Sequence, residues 1–185
     1  MRITGGEYGG RRLSVPKSGS IRPTQDRVRE ALFSILQTEI AGAGFLDLFA
    51  GSGAVGLEAL SRGARRAVFV DSNRGHLATL NANARTLGVP PGRFEIVCAD
   101  VYRWLETYSG YGFTVAFADP PYALGEEKGY AGVLAILAAR NAVVAGGLFV
   151  AEMTSVQDVA AADGWELLRD RVYGKTRICI WRRMK

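Results

Sequence analysis

Phe45-Leu46-Asp47-Leu48-Phe49-Ala50-Gly51-Ser52-Gly53-Ala54-Val55-Gly56 reads as an apolar strand broken by one acid, then a glycine loop, then the first turn of a helix. Working outward, short apolar runs at 67–71, 94–98, 114–118 and 147–152 join 44–49 as candidate strands. Helix-period stretches near 54–62, 74–87, 101–106 and 129–139 separate them. Strict alternation of this kind predicts an α/β chain with an open, mostly parallel sheet covered on both faces. Beyond Gly164 the pattern changes. Trp165–Val172, the turn Tyr173-Gly174-Lys175 and Thr176–Trp181 predict an antiparallel pair at the sheet edge, making seven strands.

Ahead of the opening stretch, residues 1–22 hold five glycines among basic residues, with Ile3, Tyr8, Leu13 and Val15 spaced for a short hairpin or two ending at Pro16. Residues 1–22 are therefore expected to be a basic β-hairpin extension, and 23–185 the main domain. Pro23-Thr24 introduces a helix with Thr24 as N-cap, and Val28, Ala31, Leu32, Ile35 and Leu36 recur at helical spacing. Arg27 and Arg29 fall off that apolar stripe and are expected to face outward.

Composition narrows the function classes. The 185 residues fit one domain, and nearly half are apolar, which excludes a mainly disordered chain. No run approaches the ~18 apolar residues of a membrane span, and no apolar signal core follows Met1-Arg2, so a cytoplasmic protein is expected. Cys98 and Cys179 form no Cys-x-x-Cys pair and are read as buried free thiols. His76 is the lone histidine, with no ligand cluster around it, so no metal site is expected. The net charge of +5 is segregated: residues 1–30 hold seven Lys/Arg against three acids, 165–185 seven against two, and the middle nine against thirteen. Basic ends on an acidic core suit a polyanion docked beside that core.

Gly51-x-Gly53-x-x-Gly56, with Asp71 at the end of the next strand, satisfies the dinucleotide fingerprint, and a strand-end acid can accept both ribose hydroxyls. A nicotinamide-dependent oxidoreductase is thus one reading. Asp47 points elsewhere. An ionised carboxylate inside an apolar strand needs a partner, and a pyrophosphate would not reward it, whereas the sulfonium and ammonium of S-adenosylmethionine would. This region resembles the acid-x-x-x-Gly-x-Gly signature of Rossmann-like methyltransferases. The resemblance implies cofactor contacts at Asp47, Phe49, Ala50, Gly51, Ser52, Gly53, Asp71 and Ser72, with Asp100 on the adenine amine and Val101 beside the ring. Asp100 also stands where a helix N-cap would.

Asp119-Pro120-Pro121-Tyr122 closes the fourth strand. Two prolines stop a strand and remove its amide donors, which leaves the Asp119 carboxylate and the Pro120 carbonyl as rigid neighbouring acceptors. An exocyclic amine held by both would have its lone pair localised and aimed, with Tyr122 stacked on the base. The motif resembles that of amino-methyltransferases, so Asp119, Pro120, Pro121 and Tyr122 are the expected catalytic residues.

Across nearly its whole length the chain resembles the RsmD-type family of 16S ribosomal RNA guanine-N2 methyltransferases. The resemblance is carried by Gly5-Gly6 with Gly10-Arg11, Arg22-Pro23-Thr24-x-Asp26-Arg27-Val28-Arg29-Glu30, Asp47 to Gly53, Gly56 to Ala64, Asp119 to Tyr122, and Tyr173-Gly174-x-Thr176. It implies a class I methyltransferase fold and S-adenosylmethionine as cofactor. The implied partner is 16S rRNA within the small subunit or an assembly intermediate, met by a monomer. Thr24 would border the cofactor, and Arg2, Arg11, Arg12, Arg22, Arg27, Arg29, Lys175 and Arg177 would contact RNA. An adenine-N6 DNA or RNA methyltransferase shares the two core motifs, and a non-catalytic RNA-binding protein would account for the basic ends alone.

Overall fold

The computed structural model describes residues 1–15, 26–120, 129–159 and 161–185. Among these the chain runs α1 (Asp26–Ile35), α2 (Gln37–Ile40), β1 (Gly44–Leu48), α3 (Ala54–Ser61), β2 (Arg66–Asp71), α4 (Arg74–Leu87), β3 (Phe94–Cys98), α5 (Val101–Thr107), β4 (Phe113–Ala118), α6 (Gly129–Ala139), β5 (Val143–Thr154), β6 (Trp165–Tyr173) and β7 (Thr176–Arg183). The seven strands form one sheet in the order β3-β2-β1-β4-β5-β7-β6. β1 to β5 pair in parallel, while β7 runs antiparallel to both β5 and β6. This is the expected Rossmann-like sheet with its C-terminal edge hairpin. The predicted Thr24 cap, together with Arg22, Pro121 and Tyr122, lies outside the described residues.

Alternation along each strand assigns the two faces. Phe45, Phe69, Val115, Phe117, Val150 and Ile178 pack under α1, α3 and α4. Leu46, Val70, Ala116, Phe149 and Ala151 pack under α5 and α6. Two glycines let α3 pack close on β2 and the loop before α3 pack close on α4. A Cβ on Gly56 would lie 2.3 Å from the Phe69 ring, and one on Gly53 would lie 2.6 Å from Leu80 Cγ. The tightest approach at both positions is therefore protein on protein, whereas the sequence pattern suggested room for a ligand.

Arg2 and Arg12 form one antiparallel bridge, and Ile3, Tyr8 and Leu13 are buried in the same core as α1 and α3. Glu58 in α3, fully enclosed, binds this segment. Its carboxylate accepts from the Thr4 amide and hydroxyl at 2.8 Å each, the Gly5 amide at 2.9 Å, Arg62 Nε at 2.7 Å and Arg29 Nε at 3.3 Å. Asn83 in α4 grips the end of the segment: it accepts the Ser14 amide at 2.8 Å and donates to the carbonyls of Ser14 and Ser52, each at 3.0 Å.

β5 is longer than the 147–152 read from sequence. Val143 already pairs with Phe113, and a register shift follows before Val115 meets Leu148. The left-handed Gly146 marks that irregularity, which in sequence looked like a loop before the strand. Cys179 is buried as expected, but Cys98 is exposed at the end of β3, which corrects the reading of both thiols as buried.

Candidate active site

Strand order reverses between β1 and β4, so the chain leaves those strands in opposite directions and opens a crevice at their C-terminal ends. β1 pairs with β2 through Leu48 and Val70, and with β4 through Leu48 and Ala118. Phe49, Asp71 and Asp119 are therefore the next residues along three neighbouring strands. Asp47, Asp71 and Asp119 fall on the α3/α4 side by strand parity. The sheet thus gathers at one edge the acids that the sequence scatters over more than seventy positions.

Asp47 is buried, and its Oδ2 accepts the Gly56 amide at 2.8 Å, inside the first turn of α3. Burial, with a further push from the Asp71 charge, raises its carboxyl to about 8 against the opposing pull of that amide. Its position bears on the oxidoreductase reading. A dinucleotide pyrophosphate needs the free amides at that helix N-terminus, and here a carboxylate already occupies one of them.

Asp71 clamps the glycine loop. Its Oδ2 accepts the Gly51 amide at 2.9 Å and its Oδ1 the Asn73 amide at 2.7 Å, while His76 Nδ1 approaches Oδ2 at 3.3 Å. Nothing in the residue pattern places His76 beside this acid, because a five-residue step across a helix start has no fixed geometry. Phe49 leaves β1 with φ 59°, and its ring meets Tyr102 edge-on at 5.9 Å. A non-glycine residue held there costs about 1–3 kcal/mol, and the turn it makes delivers Ala50 and Gly51 to the crevice.

Ala50 and Ser52 are buried, Ser52 with its carbonyl held by Asn83, while Ser72 is exposed beside Cys98. Asp100 is exposed and caps α5 by accepting the Arg103 amide at 3.0 Å, while Val101 behind it is buried.

At the end of β4, Asp119 and Pro120 are half-buried. The Asp119 carboxyl is pushed well above the usual carboxylate range, first by desolvation and then by the charges of Glu152 and Asp47. Glu152, among the last residues of β5, did not stand out in the sequence, where a lone acid inside a strand-like run has no visible neighbour. Glu152 and Asp47 both add negative charge around Asp119. That chemistry fits a cationic ligand such as a sulfonium carrying an ammonium group.

The basic residues divide sharply. Arg29 is fully buried, pairing with Glu58 and with Asp26 at 3.0 Å and donating to the Arg2 carbonyl. Its expected outward, RNA-facing role is corrected: α3 supplies a countercharge that the helix pattern could not reveal. The Arg11 guanidinium is committed to the last carbonyls of α4, donating to Leu87 O at 2.7 Å and to Thr86 O. Arg177 donates to the Gln157 carbonyl at 2.6 Å and pairs with Asp170 at 3.2 Å. Arg2, Arg12, Arg27 and Lys175 are exposed, with Arg2 3.8 Å from Asp26.

Comparison with known proteins gives this geometry a context. The family described as conserved hypothetical protein 95 matches residues 1–182. Ribosomal RNA small subunit methyltransferase D of Escherichia coli (strain K12) is 43% identical over 125 residues, covering 68% of this chain. That match spans 62% of the length of the E. coli relative. The protein of the same name from Haemophilus influenzae is 32% identical over 177 residues, covering 94% of this chain and 89% of its own. The solved structure of yhhF from E. coli superposes with a TM-score of 0.88 at 32% identity, covering 100% of this chain and 98% of that one.

Proposed function

This chain belongs to the RsmD-type, conserved hypothetical protein 95 family, and on that premise we propose that it transfers a methyl group from S-adenosylmethionine to the exocyclic N2 amine of a guanine in 16S ribosomal RNA. The observation that carries the reading is the adjacency of Asp119-Pro120, closing β4, to the acid-bearing glycine loop that leaves β1.

S-adenosylmethionine, when bound, supplies an activated methyl group on a sulfonium. Asp71 takes the ribose, with Gly51 and Ser52 shaping the loop over it. Asp100 keeps one carboxylate oxygen for the adenine amine while the other caps α5. Asp47 and Asp119 supply negative charge at the methionine end. A cation there favours their ionised forms and offsets the desolvation that raises them.

Asp119 and the Pro120 carbonyl accept the two N–H bonds of the amine and turn its lone pair toward the methyl carbon. The amine nitrogen would take the methyl group that the sulfonium supplies and shed a proton. Asp119, ionised beside the cation and holding the amine, would be the nearby base for that proton. Positioning and charge do most of the work. The base reaches the crevice by leaving its stack in the RNA, and Tyr122 would stack on its face. Exposed Arg2, Arg12, Arg27 and Lys175 would hold the phosphates alongside.

The test is transfer of labelled methyl from S-adenosylmethionine to small-subunit particles, naked 16S RNA and DNA, followed by nucleoside analysis. N2-methylguanosine from the RNA or the particle is expected. N6-methyladenosine, or label in DNA alone, overturns the substrate.

A further inference from the structure

Glu152 stands beside Asp119 at the mouth of the same crevice, on the next strand. The β4–β5 register pairs Phe117 with Val150 and Ala118 with Ala151, so one further step sets Asp119 opposite Glu152. Neighbouring strands lie about 4.8 Å apart, and side chains in register share a face. Both acids therefore project from the face that carries Phe117 and Val150. Glu152 is not on a loose end. Its partner on the other side is Ile178 of β7, and its carbonyl accepts the Tyr130 hydroxyl at 2.6 Å.

Two carboxyl groups side by side on one face present neighbouring acceptors, which suits a ligand with adjacent donors. The Watson–Crick edge of guanine is such a ligand, with N1–H next to the N2 amine. Adenine offers the reverse at the matching place, a bare N1 lone pair beside its N6 amine. A carboxylate facing N1 therefore attracts guanine and repels adenine, which is discrimination by an unfavourable contact as well as a favourable one.

We propose that Glu152 is a specificity residue, its carboxylate accepting the N1–H of the target guanine while Asp119 and Pro120 hold the N2 amine. The inference rests on the methyl-transfer reading above and adds to it how the base is chosen. The Tyr130 hydroxyl bond to its carbonyl keeps the Glu152 backbone fixed, so the side chain reaches the base from a rigid strand.

The experiment compares kcat/KM on two forms of the RNA segment that carries the methylated guanine, one natural and one with 2-aminopurine at that nucleotide. 2-Aminopurine retains the N2 amine and lacks N1–H. The wild-type chain should prefer guanine by roughly tenfold to a hundredfold, the range for a hydrogen bond to a charged group. Glu152→Gln, whose amide can donate to the bare N1, should narrow that preference about tenfold. Because each ratio is measured on one protein sample, partial loss of active protein cancels. A wild-type chain indifferent to the replacement, or a Glu152→Gln ratio equal to the wild-type ratio, overturns the proposal while leaving methyl transfer intact. A wild-type chain that makes no N2-methylguanosine overturns the underlying reading as well.

Discussion

The Asp47 carboxylate accepts the Gly56 amide at 2.8 Å, so the one acid inside β1 also anchors the helix that follows the glycine loop. Its carboxyl is raised from the ordinary 3.8 to about 8, chiefly by burial. Between those values the folded chain holds a proton that the unfolded chain has lost. Stability of the ligand-free protein should therefore fall as pH rises from about 4 to about 8, and level off above. Asp119, raised in the same direction, adds to the slope. Asp47→Asn should flatten it, as read by thermal unfolding midpoints from pH 5 to 8.5. An unchanged slope would contradict the shift.

Asp71 joins β2 to the loop, since its Oδ2 accepts the Gly51 amide at 2.9 Å. Asp71→Ala removes that clamp together with the proposed ribose acceptor, and should weaken binding of S-adenosylhomocysteine on the order of tenfold to a hundredfold by calorimetry. Asp71→Asn keeps an acceptor for the amide and should retain part of the affinity. Equal affinity in the wild type and the alanine variant would remove Asp71 from the cofactor site.

Glu58 and Arg29 are both fully enclosed and lie 3.3 Å apart. Glu58→Ala strips the buried guanidinium of that partner and leaves the Thr4 and Gly5 amides without an acceptor. Breaking a buried pair costs about 3–5 kcal/mol, and the Asp26 contact that survives puts the expectation at the low end. The unfolding midpoint should drop by roughly 6–12 °C for a chain of this size. A midpoint within a degree or two of wild type would mean that the N-terminal segment is held by other contacts.

Arg12 and Lys175 are exposed, whereas the Arg11 guanidinium is committed to the last carbonyls of α4. Arg12→Ala and Lys175→Ala should each weaken RNA binding across sequences and lower the salt slope by about one. Arg11→Ala should lower the unfolding midpoint and leave the salt slope alone. Filter binding at several salt concentrations separates the three, and a reduced slope in Arg11→Ala would reverse the assignment.

Much of this molecule was legible from local pattern. The strand-helix alternation gave the parallel strands, and the glycine turn at Gly174 gave the edge hairpin. Acids at the ends of successive apolar runs marked the crevice, because in a parallel sheet consecutive strand ends share an edge. Pairings between distant segments were hidden. Arg29 looked outward because its partner, Glu58, belongs to another helix. Glu152 looked ordinary because its meaning depends on the β4–β5 register, which a break near Phe113 displaces. Asn83 gave no signal at all, since an asparagine inside a helix reads as a solvated residue until Ser14 and Ser52 are seen against it.

The central claim is that Asp119 holds and polarises the acceptor amine, and Asp119→Ala tests it most directly. Single-turnover methyl transfer to the RNA should fall by about a hundredfold or more, while calorimetric affinity for S-adenosylmethionine stays within a few-fold of wild type. Near-normal turnover in that variant would contradict the account.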